Sequence, residues 1–107
     1  MSNYLLIESQ YRRGTDPADP LHLAVNLASR GARVSVFLVQ NGVLVARRYG
    51  SKASASRARE AGVTLLADEF SLRERGITSD DIRDGITSAA LDHVIDRLAA
   101  GDKVIWN

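Results

Sequence analysis

Four short apolar runs, separated by stretches with helical periodicity, constrain this chain more than any other feature. They are Tyr4-Leu5-Leu6-Ile7, Val34-Ser35-Val36-Phe37-Leu38-Val39, Val63-Thr64-Leu65-Leu66-Ala67 and Lys103-Val104-Ile105-Trp106. A nearly continuous apolar run suits a strand buried on both faces, which is the environment of a parallel sheet. The second run is the strongest strand candidate, rich in β-branched and aromatic residues.

The intervening segments carry helix signals. Asp19 reads as an N-cap with Pro20 at the first helical position. Leu21, Ala24, Val25 and Ala28 then line one face, and Gly31 closes the helix. Gln40-Asn41-Gly42 is a sharp turn leading into a short helix over Val43 to Arg48. Ser51 to Ala61 is an alanine-rich helix ended by Gly62. Ser71-Leu72-Arg73-Glu74 matches a capping box, so a short turn runs to Gly76, and Thr78-Ser79-Asp80-Asp81 caps another. Leu91, Val94, Ile95 and Leu98 define a last helix from about Ser88 to Ala100, closed by Gly101. Before the first helix, Arg12-Arg13-Gly14-Thr15-Asp16-Pro17 reads as a polar loop.

Strands alternating with helices predict right-handed crossovers and a single α/β domain over residues 1–107. Its layering is α/β/α, flavodoxin-like, with a mostly parallel sheet of four to five strands. At 107 residues, 45% hydrophobic and 25% charged, the chain has the composition of one globular domain with a thin core. Association with further copies is a natural way to bury more surface.

Charge is nearly balanced overall at +1, but not along the chain. Residues 1–59 hold nine Lys/Arg against three Asp/Glu, and residues 60–107 hold five against ten. This pattern suits solvated surface, or complementary faces that meet in an oligomer. It does not suit nucleic acid, because the net field is weak and aromatics are not interleaved with basic residues. No apolar run is long enough to cross a membrane. The opening Met1 to Glu8 lacks a basic n-region and a long apolar core, so the sequence predicts no secretory signal and a cytoplasmic location.

Candidate chemistry belongs beyond the carboxyl ends of the strands. Those segments are Glu8 to Arg13, Gln40 to Val43 and Asp68 to Ser71. Asn41-Gly42 opens a helix and is followed by Arg47, Arg48 and Lys52, which suggests a small-anion site. The competing reading is a plain turn with exposed basic residues. Asp68 and Glu69 are adjacent, and adjacent strand residues point to opposite faces, so they do not make a catalytic dyad. A Glu8/Asp68 acidic pair stays open, as does a capping role for Asp68. The ligand-binding candidates are therefore Asn41, Gly42, Asp68, Glu69 and Ser71. His22 and His93 each stand alone, so no metal site is expected, and no cofactor motif is present. Trp106 is expected to pack on the core or on a neighbouring subunit.

Two segments carry a family resemblance. Val36-Phe37-Leu38-Val39-Gln40-Asn41-Gly42-Val43 resembles the strand-turn-helix of DsrE/DsrF/TusD-like sulfur-relay proteins. The segment from Val63 through Asp68 to Arg75-Gly76-Ile77 is similar to the third strand and following loop of the same family. The final strand ending in Trp106 resembles the DsrH/TusB branch. The resemblance implies a DsrEFH-like fold, trimers or hexamers, and a sulfur-relay protein partner. TusD-type relatives carry a cysteine just after the third strand that holds sulfane sulfur as a persulfide. That position falls on Asp68, and the chain contains no cysteine at all. A carboxylate cannot form a persulfide. The resemblance therefore implies a non-catalytic oligomeric subunit or regulator of sulfur trafficking. A small-anion binding module is the alternative, and an enzyme using Asp68 as acid or base is the weakest reading, since no partner residue can be named.

Overall fold

The computed structural model describes residues 2–11, 19–48 and 53–106. The expected loop over Arg12 to Pro17, the start of the Ser51 helix, and Lys52 lie outside these residues. Five strands form one sheet: β1 (Asn3–Glu8), β2 (Arg33–Leu38), β3 (Thr64–Asp68), β4 (Ile86–Ala89) and β5 (Lys103–Trp106). Every pairing is parallel, in the order β4-β3-β2-β1-β5. The helices are α1 (Pro20–Ser29), α2 (Ala53–Glu60), α3 (Glu69–Glu74) and α4 (Asp92–Ala99).

The local signals explain most of these bounds. Asp19 caps α1, accepting the Leu21 N–H at 3.0 Å, and Pro20 opens the helix. Gly31 follows α1 with φ of 92°, a backbone state that glycine enters without steric cost. After β2 the chain enters a 3-10 helix over Gln40–Ala46, three residues earlier than the short helix expected over Val43 to Arg48. Thr78 and Asp81 form the expected capping box, with the Thr78 N–H and hydroxyl both donating to the Asp81 carboxylate.

Two expectations need correction. The fourth strand was not anticipated, and Ser88, expected to begin the last helix, lies in β4 instead. Ile86-Thr87-Ser88-Ala89 buries only Ile86, so its polar edge residues hide it from any search for apolar runs. The Ser71 capping box is also misplaced. Helix α3 starts three residues earlier, capped by Asp68, and Ser71 is buried inside it.

The two faces of the sheet are covered unequally. One face presents Leu6, Val36, Leu38, Leu65 and Ile86 to α1, α2, the 3-10 segment and Leu72 of α3. The other presents Leu5, Ile7, Phe37 and Leu66, among the described residues, to a single helix, α4, which contributes Val94. A central parallel strand must be covered on both sides. Strand β1 meets that demand at Leu5, Leu6 and Ile7, all nearly inaccessible.

Val94 is the residue of α4 packed in that second cluster. Val94→Ala is expected to cost about 2 kcal/mol in denaturant unfolding. Amide exchange in α4 should accelerate more than in α1. A second expectation concerns Asp81. Hydrogen bonds from the Thr78 backbone and then its hydroxyl hold this carboxyl below its ordinary value of 3.8. The stabilisation is then full above the ordinary value and fades as pH falls through the depressed one. An NMR titration of Thr78→Ala should move Asp81 back toward 3.8.

Candidate functional site

The carboxyl ends of β2 and β3 meet in one hydrogen-bonded junction. The Asp68 carboxylate accepts the Ser71 N–H at 3.0 Å and the Ser71 hydroxyl at 2.6 Å through the same oxygen. The Ser71 hydroxyl oxygen in turn accepts the Gln40 N–H at 2.8 Å. Ser71 thus links the loop after β2 to the cap of the helix after β3. Its burial follows from its place on the inward side of α3, beside Leu72. Gln40 is the only non-glycine residue with positive φ among those described, at 51°. A residue in that state costs on the order of 1 kcal/mol or more, and its N–H bond to Ser71 helps hold it there.

Arg75 adds a second bridge over the same gap. Its Nε and Nη2 donate to Asn41 Oδ1 at 3.2 and 3.0 Å, and its Nη1 donates to the Ser71 carbonyl at 3.2 Å. Asn41 and Arg75 lie 34 positions apart, so no spacing in the sequence signals the contact. Arg75 is the site residue that sequence reasoning missed, although its Arg-Gly-aliphatic context was noted.

Glycine is required at position 42 for a steric reason. A Cβ there would collide with the Glu8 carbonyl oxygen. The close approach packs the 3-10 segment onto the end of β1, where the Glu8 side chain is buried and one of its oxygens accepts the Gln10 N–H at 2.7 Å.

Of the five candidate residues, the structure brings three to this junction: Asn41, Asp68 and Ser71 join through hydrogen bonds, Asn41 by way of Arg75. Gly42 packs against the end of β1. Glu69 is exposed and lines a separate cleft of about 300 Å³ with Leu72, Ile77, Ile82 and Ser88. The Glu8/Asp68 pair does not form. Glu8 ends β1 and Asp68 ends β3, with β2 between them, and the Asp68 carboxylate is engaged by Ser71. For the anion reading, the Gln40 N–H is taken by Ser71 and the Gly42 N–H by the Val39 carbonyl. His22 and His93 sit on α1 and α4, on opposite faces of the sheet. No group of three possible metal ligands occurs among the described residues. A cleft of about 340 Å³ between α2 and β4 lies away from the strand ends and mixes Arg59 and Arg83 with Glu60 and Asp84. Trp106 does not pack on its own core: it is 67% exposed on the edge strand β5.

The model of the DsrE/DsrF-like family matches residues 9–106, and the chain belongs to that family. Solved structures share its fold. The ychN protein of E. coli superposes with a TM-score of 0.84 at 17% identity, covering all of both chains. MTH1491 from Methanobacterium thermoautotrophicum does so with 0.80 at 22%, again over both whole chains. BT1422 from Bacteroides thetaiotaomicron gives 0.69 at 21%, over 97% of this chain and 94% of that one. No functionally curated protein matches.

The junction makes a quantitative demand. Ser71→Ala removes the acceptor for Gln40 and a donor to Asp68 at a buried position, and is expected to cost roughly 1–3 kcal/mol. Asp68→Asn retains a capping oxygen and should cost under about 1 kcal/mol. Chemical denaturation of the two variants side by side checks the order.

Proposed function

We propose that this chain is a non-catalytic DsrE-like subunit or regulator associated with sulfur trafficking, which acts as an oligomer beside cysteine-bearing partners and carries no persulfide itself. The observation that carries the reading is the use of Asp68. In TusD-type relatives the resemblance places the sulfur-carrying thiol at this position. Here the position holds a carboxylate that caps α3 and is tied to Ser71. Sulfane sulfur transfer needs a thiolate to form the sulfur–sulfur bond, and the chain has none. Family membership over nearly the full length, and the generally oligomeric habit of the family, support the remainder. No helix of the described residues is long and apolar enough to cross a membrane.

The same junction argues against Asp68 as an acid or base. One oxygen already accepts two hydrogen bonds, and no second titratable group faces it in the network described above. The fold keeps the loops after β2 and β3 in fixed relation without any thiol, which is what a subunit retained for its surfaces requires.

The test has two arms. Incubated with a sulfane-sulfur donor, the wild-type chain should gain no sulfur by intact-mass spectrometry, while Asp68→Cys should gain one atom that a reductant removes. Mixed with cysteine-bearing DsrE-like proteins, the wild type should form a complex seen by native mass spectrometry. Failure to bind any of them would remove the relay assignment. A concentration-dependent thermal shift with nucleotides or sulfur oxyanions would favour a small-anion module instead.

A further inference from the structure

Asn41 and Gly42 make the one Asn-Gly pair in the chain. In such a pair the side-chain amide lies open to attack by the next backbone nitrogen, because glycine puts no side chain in the way. The Gly42 nitrogen bonds to Cγ of Asn41, the Cγ–Nδ2 bond breaks, and ammonia leaves with the proton of the Gly42 N–H. Water then opens the five-membered imide at either carbonyl. Opening at Cγ leaves aspartate. Opening at the main-chain carbonyl leaves isoaspartate, whose main chain runs through the former side chain and is longer by a methylene. The net exchange is water for ammonia, and nothing is oxidised or reduced.

The fold calls for both members of the pair. A Cβ at position 42 would collide with the Glu8 carbonyl oxygen, so glycine is required there. Asn41 Oδ1 receives Nε and Nη2 of Arg75 at 3.2 and 3.0 Å, so an acceptor is required at 41. Asn41 is exposed, and water reaches it. The same contacts oppose the reaction. Asn41 lies within the 3-10 segment, and the Gly42 N–H donates to the Val39 carbonyl at 2.8 Å. Closing the imide needs Cβ of Asn41 and the Gly42 nitrogen nearly eclipsed about the Cα–C bond. A 3-10 turn holds ψ at about −25° and keeps the two well apart. The ring therefore closes only after the turn opens and the bond to Val39 breaks. Arg75 ties Asn41 to α3, where its Nη1 donates to the Ser71 carbonyl at 3.2 Å, so opening the turn must break this bridge as well. Hydrogen bonds to Oδ1 also draw electrons from Cγ, but that activation has no effect while the nitrogen is out of reach.

We propose that Asn41 is a deamidation site held dormant by Arg75, and that release of the Arg75 bridge lets residue 41 convert to aspartate and isoaspartate. The two products act differently on the fold. Aspartate at 41 keeps an acceptor for Arg75 and turns the bridge into a charge-assisted pair. Isoaspartate lengthens the main chain between Gln40 and Gly42, where the glycine is pressed against the Glu8 carbonyl oxygen. The added length displaces the 3-10 segment from the end of β1 and strains the Gln40 N–H bond to Ser71. A slow chemical change at one exposed amide thus reaches the junction of β2 and β3. The inference stands apart from the function proposed above, since it holds whether or not the chain meets a relay partner.

The experiment compares the wild type, Arg75→Ala and Val94→Ala, incubated at mildly alkaline pH in heavy-oxygen water. Peptide mass spectrometry reads the conversion of residue 41 and the isotope it takes up, and chromatography separates aspartate from isoaspartate. Val94 belongs to the cluster on the other face of the sheet, so its truncation lowers global stability without touching Asn41. Arg75→Ala is expected to convert roughly tenfold faster than the wild type, the size of a hydrogen bond to a charged group lost from the closed turn. Val94→Ala should convert at nearly the wild-type rate. In denaturant all three should share one rate, because the dipeptide is the same. Equal rates for folded wild type and Arg75→Ala, whether both convert or neither does, overturn the inference. Val94→Ala as fast as Arg75→Ala overturns it too, since global unfolding would then be the gate. A rate difference that persists in denaturant does the same.

Discussion

A parallel sheet tolerates no wet face, and that constraint organises everything else in this molecule. Strand β1 sits between β2 and β5 with Leu5, Leu6 and Ile7 buried in sequence, so both of its sides must be roofed. One roof is built from α1, α2, the 3-10 segment and α3. Among the described residues, the other has only α4, eight residues long, to span a sheet about five strands wide. At a strand spacing near 4.8 Å and a helix diameter near 10 Å, one helix covers roughly half of that width. The exposed leucines and isoleucine of α4 and the open indole of Trp106 are direct consequences of this shortfall.

The covered side carries the opposite character. There the chain's turns are tied down by polar contacts of long sequence separation: Ser71 to Gln40, Arg75 to Asn41, and the close approach of Gly42 to Glu8. These contacts hold the carboxyl ends of β2 and β3 in a fixed relation. Asp68 belongs to that scaffold as a cap. Its carboxylate oxygen on Ser71 holds the start of α3.

The strands with apolar runs were legible in the sequence because burial on both faces leaves an almost unbroken apolar signature, as in Val36-Phe37-Leu38. Asp19-Pro20 and Thr78-Asp81 were legible because caps act within three or four residues. Strand β4 was not, since an edge strand with one buried residue carries neither period nor apolar run. The start of α3 was misplaced because Ser71 and Glu74 imitate a capping box while Asp68 caps the helix. The Arg75–Asn41 bridge had no local signature at all. Within the site, chemistry of short range was readable and contacts between segments 31 to 34 residues apart were not.

The asymmetry of the two faces bears on what a cysteine-less family member retains. Loss of a thiol at one position removes one reaction, but it alters neither the sheet nor its edges. Those edges and the thin roof are fixed by strand order and by the length of α4. Asp68 ends β3, and β2 and β1 stand between it and β5. A substitution at the junction of β2 and β3 therefore changes the polar contacts of that junction while the β5 edge, with Trp106, keeps its place in the sheet.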